Sequence, residues 1–497
     1  MKTKYFLIPS LFVVVISLLA VLLSMGEKTP VSSAVAVETV AEEPAPASME
    51  ERVCLDCHRY PNINTNEGVL ASQAQCYECH AEKKTSLRTE GKQSISLQVT
   101  SDTFEKNPHK YIACIQCHTD VARSPHKTIV GAQCMSCHTV HGEGTAHDPH
   151  FRVDCQACHG KSEFVTLDLK DHRVKLAHLD DKGKPIGLTD HGLAENIQEE
   201  ESCQKCHTPE NQVGAPGAVL PAKSFLCIIC HNASLTMGHP IFWAAFLILI
   251  FGIFVMFHFW FQGSVQGEEE CMHRKISLSS EAVWQTIFSR KILTVLRVIM
   301  FDILLQRRIL KESVRRWSMH SLIYTAILLR FILSFFAFLQ FNIDPESTWA
   351  LALIDKNHGF TAFVYDLLGL FILIGIVWVI LQRFVIRPAH VKTEIEDNIT
   401  VGIIGILILL GFGLEGMRIA ITKIPPDMAV YSFIGYPIAY VLSLSDWNWA
   451  ALYKYMWYAH ALTGAFFVAY LPFGKLRHIF NVPLTYFLEE VAGEKKE

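Results

Sequence analysis

The sequence predicts an all-α and irregular chain in two parts. A polar exported segment is followed by a five-helix transmembrane bundle, and an N-terminal transmembrane anchor or signal precedes both. Three observations predict this. Seven copies of Cys-x-x-Cys-His lie between Cys54 and His231, five long apolar runs follow from Ile241 onward, and an apolar run from Tyr5 to Met25 follows Lys2 and Lys4.

The seven copies are Cys54-Cys57-His58, Cys76-Cys79-His80, Cys114-Cys117-His118, Cys134-Cys137-His138, Cys155-Cys158-His159, Cys203-Cys206-His207 and Cys227-Cys230-His231. In this spacing two thiols reach the vinyl groups of one haem, and the next residue is placed as its proximal iron ligand. A structural zinc knuckle or a redox dithiol needs no His in that place, and seven repeats exclude coincidence. The motifs use all of the 15 cysteines but Cys271. Cys271 reads as an ordinary free thiol on the opposite side of a membrane. Covalent haem attachment occurs outside the cytoplasm, so this segment is expected to be exported.

The chain has 497 residues and a net charge of −4, which gives no reason to expect nucleic acid as a partner. The N-terminal run is long enough to span a bilayer and lacks a good cleavage site directly after it. The sequence therefore divides into residues 1–26 as signal or anchor, 27–50 as an Ala-, Glu- and Pro-rich linker, 51–238 as a heptahaem segment in the periplasm, and 239–497 as a membrane domain.

A segment this dense in haem cannot build an ordinary apolar core. The porphyrins must serve as core, with short helices at the motifs, loops elsewhere and no convincing strand. Each iron needs a sixth ligand unless a site is left open. Nine histidines outside the motifs are candidates: His109, His126, His141, His147, His150, His172, His178, His191 and His239. Asn107-Pro108-His109, Ser124-Pro125-His126 and Asp148-Pro149-His150 share a pattern, each shortly before a motif. For a single one of these histidines, a solvent-facing role is the plain alternative. As a set they predict bis-His irons, which transfer electrons rather than bind a substrate.

The five apolar runs are 241–262, 317–341, 360–385, 399–422 and 451–473, each long enough to cross. Lys and Arg concentrate in the connections 263–316 and 386–398 and in the tail, whereas 342–359 and 423–450 are poor in them. The positive-inside rule then places the first set in the cytoplasm and the motif segment outside, as the thioether chemistry also requires. Histidines in apolar helices are costly and usually functional. His258, His320 and His478 lie toward the cytoplasmic ends, His358 and His460 toward the periplasmic ends. On one continuous helix, His460 and His478 would share a face and lie roughly 27 Å apart, with Pro472 able to kink the helix between them. That spacing suits two stacked haems b, and polar residues near headgroups are the structural alternative.

The last stretch, Pro472-Phe473-Gly474-Lys475-Leu476-Arg477-His478-Ile479-Phe480-Asn481-Val482-Pro483, resembles the gamma subunit of respiratory nitrate reductase, as do Leu304-Leu305-Gln306-Arg307-Arg308 and Arg315-Arg316-Trp317-Ser318-Met319-His320. The membrane subunits of heterodisulfide reductase and of the sulfite-reductase-linked complex are similar. The resemblance covers about 239–497. It implies two haems b between the second and last helices, with quinol oxidised beside them. Carried over, His320 and His478 bind the cytoplasmic-side haem. The second pair's expected His is Arg330 here, and His358 is at the right depth to replace it opposite His460. A one-haem membrane domain is the fallback.

Asp366, Glu415 and Arg418 lie in apolar helices toward the periplasmic side and are candidates for a quinol site, a carboxylate taking the proton. A structural Arg–carboxylate pair is the alternative for each. The reading is a quinol dehydrogenase of a bacterial inner membrane, passing electrons from menaquinol through haem b and seven haems c to a periplasmic cytochrome or reductase. The alternatives are the reverse route, or a conducting anchor subunit whose cytoplasmic iron–sulfur partner docks on 263–316. After extraction of loosely held haem, seven haems are expected to stay on the chain in a pyridine haemochrome assay. A covalent count of zero would remove the haem reading.

Overall fold

The computed structural model describes residues 62–81, 86–88, 94–96, 98–99, 104–118, 134, 137–138, 150, 152–161, 164–170, 172–177, 192–193, 200–233, 236–263, 265, 268–344, 347–386 and 394–493. The N-terminal anchor, the linker, the motif Cys54-Cys57-His58 and the candidates His126, His141, His147, His178 and His191 lie outside the described residues. The chain forms two compact units, one of Met1–His141 with Arg152–Cys206, the other of Gly142–Phe151 with His207–Glu497.

In the first unit, α1 (Asn66–His80) starts at Thr65, whose side chain accepts from the Gly68 N–H and so satisfies one of the free donors of a helix start. The helix ends on the motif Cys76-Cys79-His80. Gln73 of α1 donates to the carbonyls of Lys110 and Ile112 at 2.8 and 2.9 Å, holding it to the stretch before Cys114. Single helical turns carry Cys114–Cys117 and Cys155–His159.

Two small antiparallel hairpins depart from the strand-free expectation: β1 (Ser86–Arg88) with β2 (Ser94–Ser96), and β3 (Val165–Asp168) with β4 (Arg173–Leu176). In β4 the alternation is real but only four residues long. Val174 and Leu176 turn inward, Lys175 pairs with Asp168 at 2.8 Å, and Arg173 pairs with Asp154 at 2.5 Å. A run this short carries too little periodicity to be read from sequence.

The second unit is helical. Its long helices are α2 (Pro240–Trp260), α3 (Met272–Ile287), α4 (Val314–Ile343), α5 (Gly359–Ile380), α6 (Ile395–Thr422), α7 (Gly435–Ser443), α8 (Trp449–Tyr470) and α9 (His478–Gly493). The starts follow capping chemistry. Ser313 accepts from Arg316 N–H before α4, Asn448 accepts from Ala451 N–H before α8, and Pro240 occupies the first turn of α2. α6 ends at Lys423 in a left-handed conformation, just before Pro425 and Pro426.

Among the described residues, four helices are long and apolar enough to cross a membrane: α2, α4, α5 with its continuation to Ile386, and α6. The expected fifth, α8, is a 22-residue helix that does not meet the same apolar measure, since Lys454, His460 and several tyrosines break its run. α4 packs on α5, α5 on α6, α6 on α7 and α8, and α8 on α2. Trp243, Leu247, Phe251, Phe254 and Phe259 of α2 stay exposed, the pattern of a helix that faces lipid rather than water.

The last helix is not continuous as expected. α8 ends at Tyr470, a turn through Pro472 and Gly474 follows, Lys475–Arg477 form a short 3₁₀ turn, and His478 opens α9. Pro472 ends the helix rather than kinking it, so the rise along one helix does not apply.

Gly416 of α6 marks a close helix approach. A Cβ there would meet Ile438 Cγ2 of α7 at 2.4 Å and Ile438 Cβ at 2.8 Å. Gly416→Ala is expected to push α7 away and cost about 1–3 kcal/mol as overpacking, read as a lower thermal unfolding midpoint in detergent.

Candidate redox sites

Two imidazoles on opposite faces of one iron, with metal–nitrogen bonds of about 2 Å and roughly 1 Å from nitrogen to ring centre, have centroids about 6 Å apart. Four pairs of described histidines come close to this. In the first unit, His109 faces the motif residue His138 with centroids 5.6 Å apart and the two Nε2 atoms at 3.4 Å. In the second unit, His150 faces the motif residue His207 at 6.0 Å. His109 and His150 belong to two of the Pro-His repeats.

Motif thiols in the first unit also lie side by side. Cys76 hydrogen-bonds to Cys114, which lowers the Cys76 thiol to about 7, and Cys155 hydrogen-bonds to Cys134, which lowers the Cys155 thiol to about 6. Thiols of different motifs therefore sit together. Cys203 and Cys206 lie near Cys158 in the same way. His172 has a left-handed backbone with φ of 55°, and its Nδ1 is buried without a hydrogen-bond partner.

The third pair is His320 of α4 and His478 of α9, with centroids 6.1 Å apart. His320 Nδ1 donates to Gln306 Oε1 at 3.0 Å, and His478 Nδ1 donates to the Lys475 carbonyl at 2.6 Å. Both acceptors fix the proton on Nδ1 and leave Nε2 free for a metal. Gln306 is itself held in place. It is buried, has φ of 52°, and also accepts from Ser321 Oγ at 3.2 Å. Asp302 beside it binds Arg307 through two contacts of 2.9 and 3.1 Å and Arg308 at 3.7 Å. Lys475 pairs with Glu394 and so anchors the turn that presents His478.

The fourth pair is His231, the last motif residue, and His460 of α8, with centroids 6.3 Å apart and rings 28° from parallel. His231 Nδ1 donates to the Asn232 carbonyl at 3.1 Å. The motif is seated on the bundle. Its 3₁₀ turn Phe225–Ile229 packs against α4, Phe225 meets Phe246 of α2, and Asn232 Nδ2 donates to the Leu353 carbonyl at 2.6 Å. His460 lies beside Gly411 of α6, where a Cβ would come within 3.7 Å of the ring.

His358 stands at the start of α5, and its Nδ1 has no hydrogen-bond partner. Among the described residues, the ring facing His460 is that of His231, not His358. His239 caps α2, its Nδ1 accepting from Ile241 N–H at 3.3 Å, and packs on Tyr458. His258 stacks on Phe254. Cys271 is an exposed free thiol at the start of α3.

Of the three candidate quinol residues, the fold joins two. The carboxyl groups of Asp366 and Glu415 lie side by side, within hydrogen-bond reach of each other. Asp366 is fully buried and also accepts from the N–H groups of Ile434 and Gly435 at 2.7 and 3.3 Å, capping α7. Glu415 accepts from Ser432 Oγ at 3.0 Å and lies one turn along α6 from Gly411, roughly 6 Å of helix rise. Arg418 instead donates to Asn357 Oδ1 at 2.6 Å. Lys223 and Lys356, which sequence reasoning missed, lie against each other near this end. Burial, then the Lys356 charge, holds the Lys223 ammonium well below its ordinary range. A lone Lys in a polar segment gives no sequence signal of this kind.

Residues 331–493 match the family described as nitrate reductase gamma subunit. The membrane part of this chain resembles that protein. A subunit of the dihydromethanophenazine:CoB–CoM heterodisulfide reductase of Methanosarcina thermophila is 27% identical over 204 residues, a match covering 40% of this chain and 68% of that protein. The same-named protein of Methanosarcina acetivorans is 27% identical over 212 residues, with the same coverage. The EtfAB:quinone oxidoreductase of Syntrophomonas wolfei is 26% identical over 205 residues, covering 37% of this chain and 26% of that protein. No solved structure matches. The chain is a multi-pass membrane electron-transfer protein related to these redox proteins.

Asp366→Ala is expected to leave two N–H groups at the α7 start without their acceptor, costing about 1–3 kcal/mol, read as a lower unfolding midpoint. Asp366→Asn keeps an acceptor oxygen and should cost less.

Proposed function

We propose that the chain is a quinol dehydrogenase that passes electrons from menaquinol, through haem b in the bundle, to seven haems c and on to a periplasmic cytochrome or reductase. The single observation that carries this is the recurrence of facing imidazole pairs about 6 Å apart, both at the Cys-x-x-Cys-His motifs and inside the apolar bundle. One chain then holds sites for both ends of the route. The family match and the name of the Syntrophomonas wolfei relative support quinone as the partner of the bundle.

Each haem iron, when bound, takes up and releases one electron. His320 and His478 would hold the haem b, with Gln306 and the Lys475 carbonyl fixing their tautomers. His138 with His109, and His207 with His150, would hold two of the c-type irons from both faces, leaving no open position on them. Quinol gives up two electrons and two protons on becoming quinone. Glu415 is the better placed acceptor of the first proton, because Asp366 is already committed to capping α7. Asp366 shares that proton through its hydrogen bond to Glu415. With the motif segment outside, protons and electrons leave on the same side, so the step itself moves no net charge across the membrane.

A second reading keeps the same cofactors but makes the chain a conducting anchor. The relatives from Methanosarcina are named as subunits of a larger enzyme, and the basic 263–316 connection would then receive an iron–sulfur partner. Glu415→Gln is expected to slow reduction of the c-type haems by menaquinol by about 10²-fold, the low end of general-base catalysis. Haem content and reduction by dithionite should stay normal. A wild-type rate in this variant would remove Glu415 from proton transfer, and a wild type that itself ignores menaquinol would favour the conducting anchor. His320→Ala and His478→Ala are each expected to lose the same extractable haem.

A further inference from the structure

On sequence alone, the outer position of the bundle falls to a second haem b between His358 and His460. The geometry at that end points elsewhere. His460 faces His231, and His231 directly follows Cys230. We infer that the outer haem position of the membrane bundle is occupied by the haem covalently attached at Cys227 and Cys230, with its iron held between His231 and His460. This rests on the haem reading proposed above and reassigns one of its sites.

Five observations converge. The His231–His460 centroid distance of 6.3 Å is close to the 6.1 Å of the His320–His478 pair, so one spacing recurs at both ends of the bundle. The proton on His231 Nδ1 is committed to the Asn232 carbonyl, which turns the Nε2 lone pair toward His460. His460 has room on its own side. At Gly464, one turn further along α8, a Cβ would meet only Leu407 Cδ2 at 3.8 Å, and Gly411 across from it is similarly open. The motif is built into the bundle through the Phe225–Ile229 turn and Asn232 rather than held on a free loop.

Charge supplies the fifth. Arg330 lies on α4. Its charge acts on both Cys230 and His460, its guanidinium lies 5.2 Å from the Tyr365 ring centre, and its Nε has no hydrogen-bond partner. Lys223 and Lys356 lie against each other, with their charges acting on His231 and His460, and the charge of Arg418 acts on both lysines. Arg330, Lys223 and Lys356 bear on the histidine pair and Arg418 bears on the lysines, and basic side chains gathered in an enclosed site are suited to hold anions. A haem brings two propionates. A haem covalently tied to Cys227 and Cys230, with His231 and His460 as its ligands, needs no histidine from α4. Attachment is balanced: each thiol adds across one vinyl group, its sulfur bonding one carbon and its hydrogen the next, and nothing leaves.

The site also changes the electron route. The acceptor nearest the carboxyl pair of Asp366 and Glu415 is then already part of the c-type series, and the His320–His478 haem is the single extractable one.

The test uses the purified full-length protein. A pyridine haemochrome assay is expected to give seven covalent haems to one extractable haem. A ratio of seven to two would overturn the inference while leaving the quinol dehydrogenase reading intact, and an absence of covalent haem would remove that reading itself. His460→Met keeps an axial ligand, so it is the variant least prone to misfolding. It is expected to keep both haem counts and to raise the potential of one c-type haem in a redox titration, since a Met/His iron titrates higher than a bis-His one. His460→Ala is expected to turn one low-spin c-type signal high-spin in the electron paramagnetic resonance spectrum, again with the extractable haem retained. His358→Ala should change neither count nor spectrum. Loss of an extractable haem in any of these three variants, or a His460→Met protein with every c-type potential unchanged, would overturn the assignment.

Discussion

The fold is organised around holding two imidazoles face to face, about 6 Å apart, with the correct nitrogens turned inward. Inside an apolar bundle this is demanding, because each ring has one nitrogen that must be satisfied and one that must stay available. For His478, His231, His207 and His320 the chain meets the demand with backbone and amide oxygens. The carbonyls of Lys475, Asn232 and Pro216 and the side chain of Gln306 each accept from a ring Nδ1. Those acceptors are placed by local irregularities. Gln306 has left-handed backbone between a π-helical turn and a short helix, and Lys475 sits in a 3₁₀ turn. A regular helix would have kept these carbonyls for its own hydrogen bonds. The breaks in the bundle are therefore where its sites are made.

The two ends of the bundle solve the charge problem differently. At the His320 end, Asp302 pairs with both Arg307 and Arg308, and Arg308 also stacks on Tyr486 3.9 Å from the ring centre. At the His460 end, Lys223, Lys356, Arg330 and Arg418 gather around the histidine pair, while the carboxyl groups of Asp366 and Glu415 hydrogen-bond to each other. That end has a group of basic side chains on one side and a carboxyl pair on the other. In the proposed reading these are the place for the haem propionates and the place where quinol protons leave.

The Pro-His repeats carried more information than their separate positions. A Pro restricts the residue before it and fixes its own φ, so a His directly after it is presented from an extended or turning chain. His109 and His150 are both used this way, each facing the His of a motif further along. His239 also occurs beside a Pro, but there Pro240 opens α2 and His239 caps it. The same two residue types in the reverse order give a helix start.

Local chemistry accounts for what was legible in one dimension: the seven Cys-x-x-Cys-His repeats, the positions of the apolar helices and the resemblance of the membrane part. Thioether spacing, apolar run length and capping residues act over a few residues and need no folded chain to be seen. His320 and His478 as neighbours were legible only through the resemblance. Packing settles which histidine faces which, and which charges gather around them. His231 and His460 are more than two hundred residues apart, and nothing local links them. His358 has the depth to face His460 but stands at the start of α5, whereas the turn Phe225–Ile229 packs on α4 and brings His231 across. Depth along a helix is a one-dimensional quantity and could be counted. Azimuth and the path of a connecting segment are set by packing, and only the folded chain fixes them.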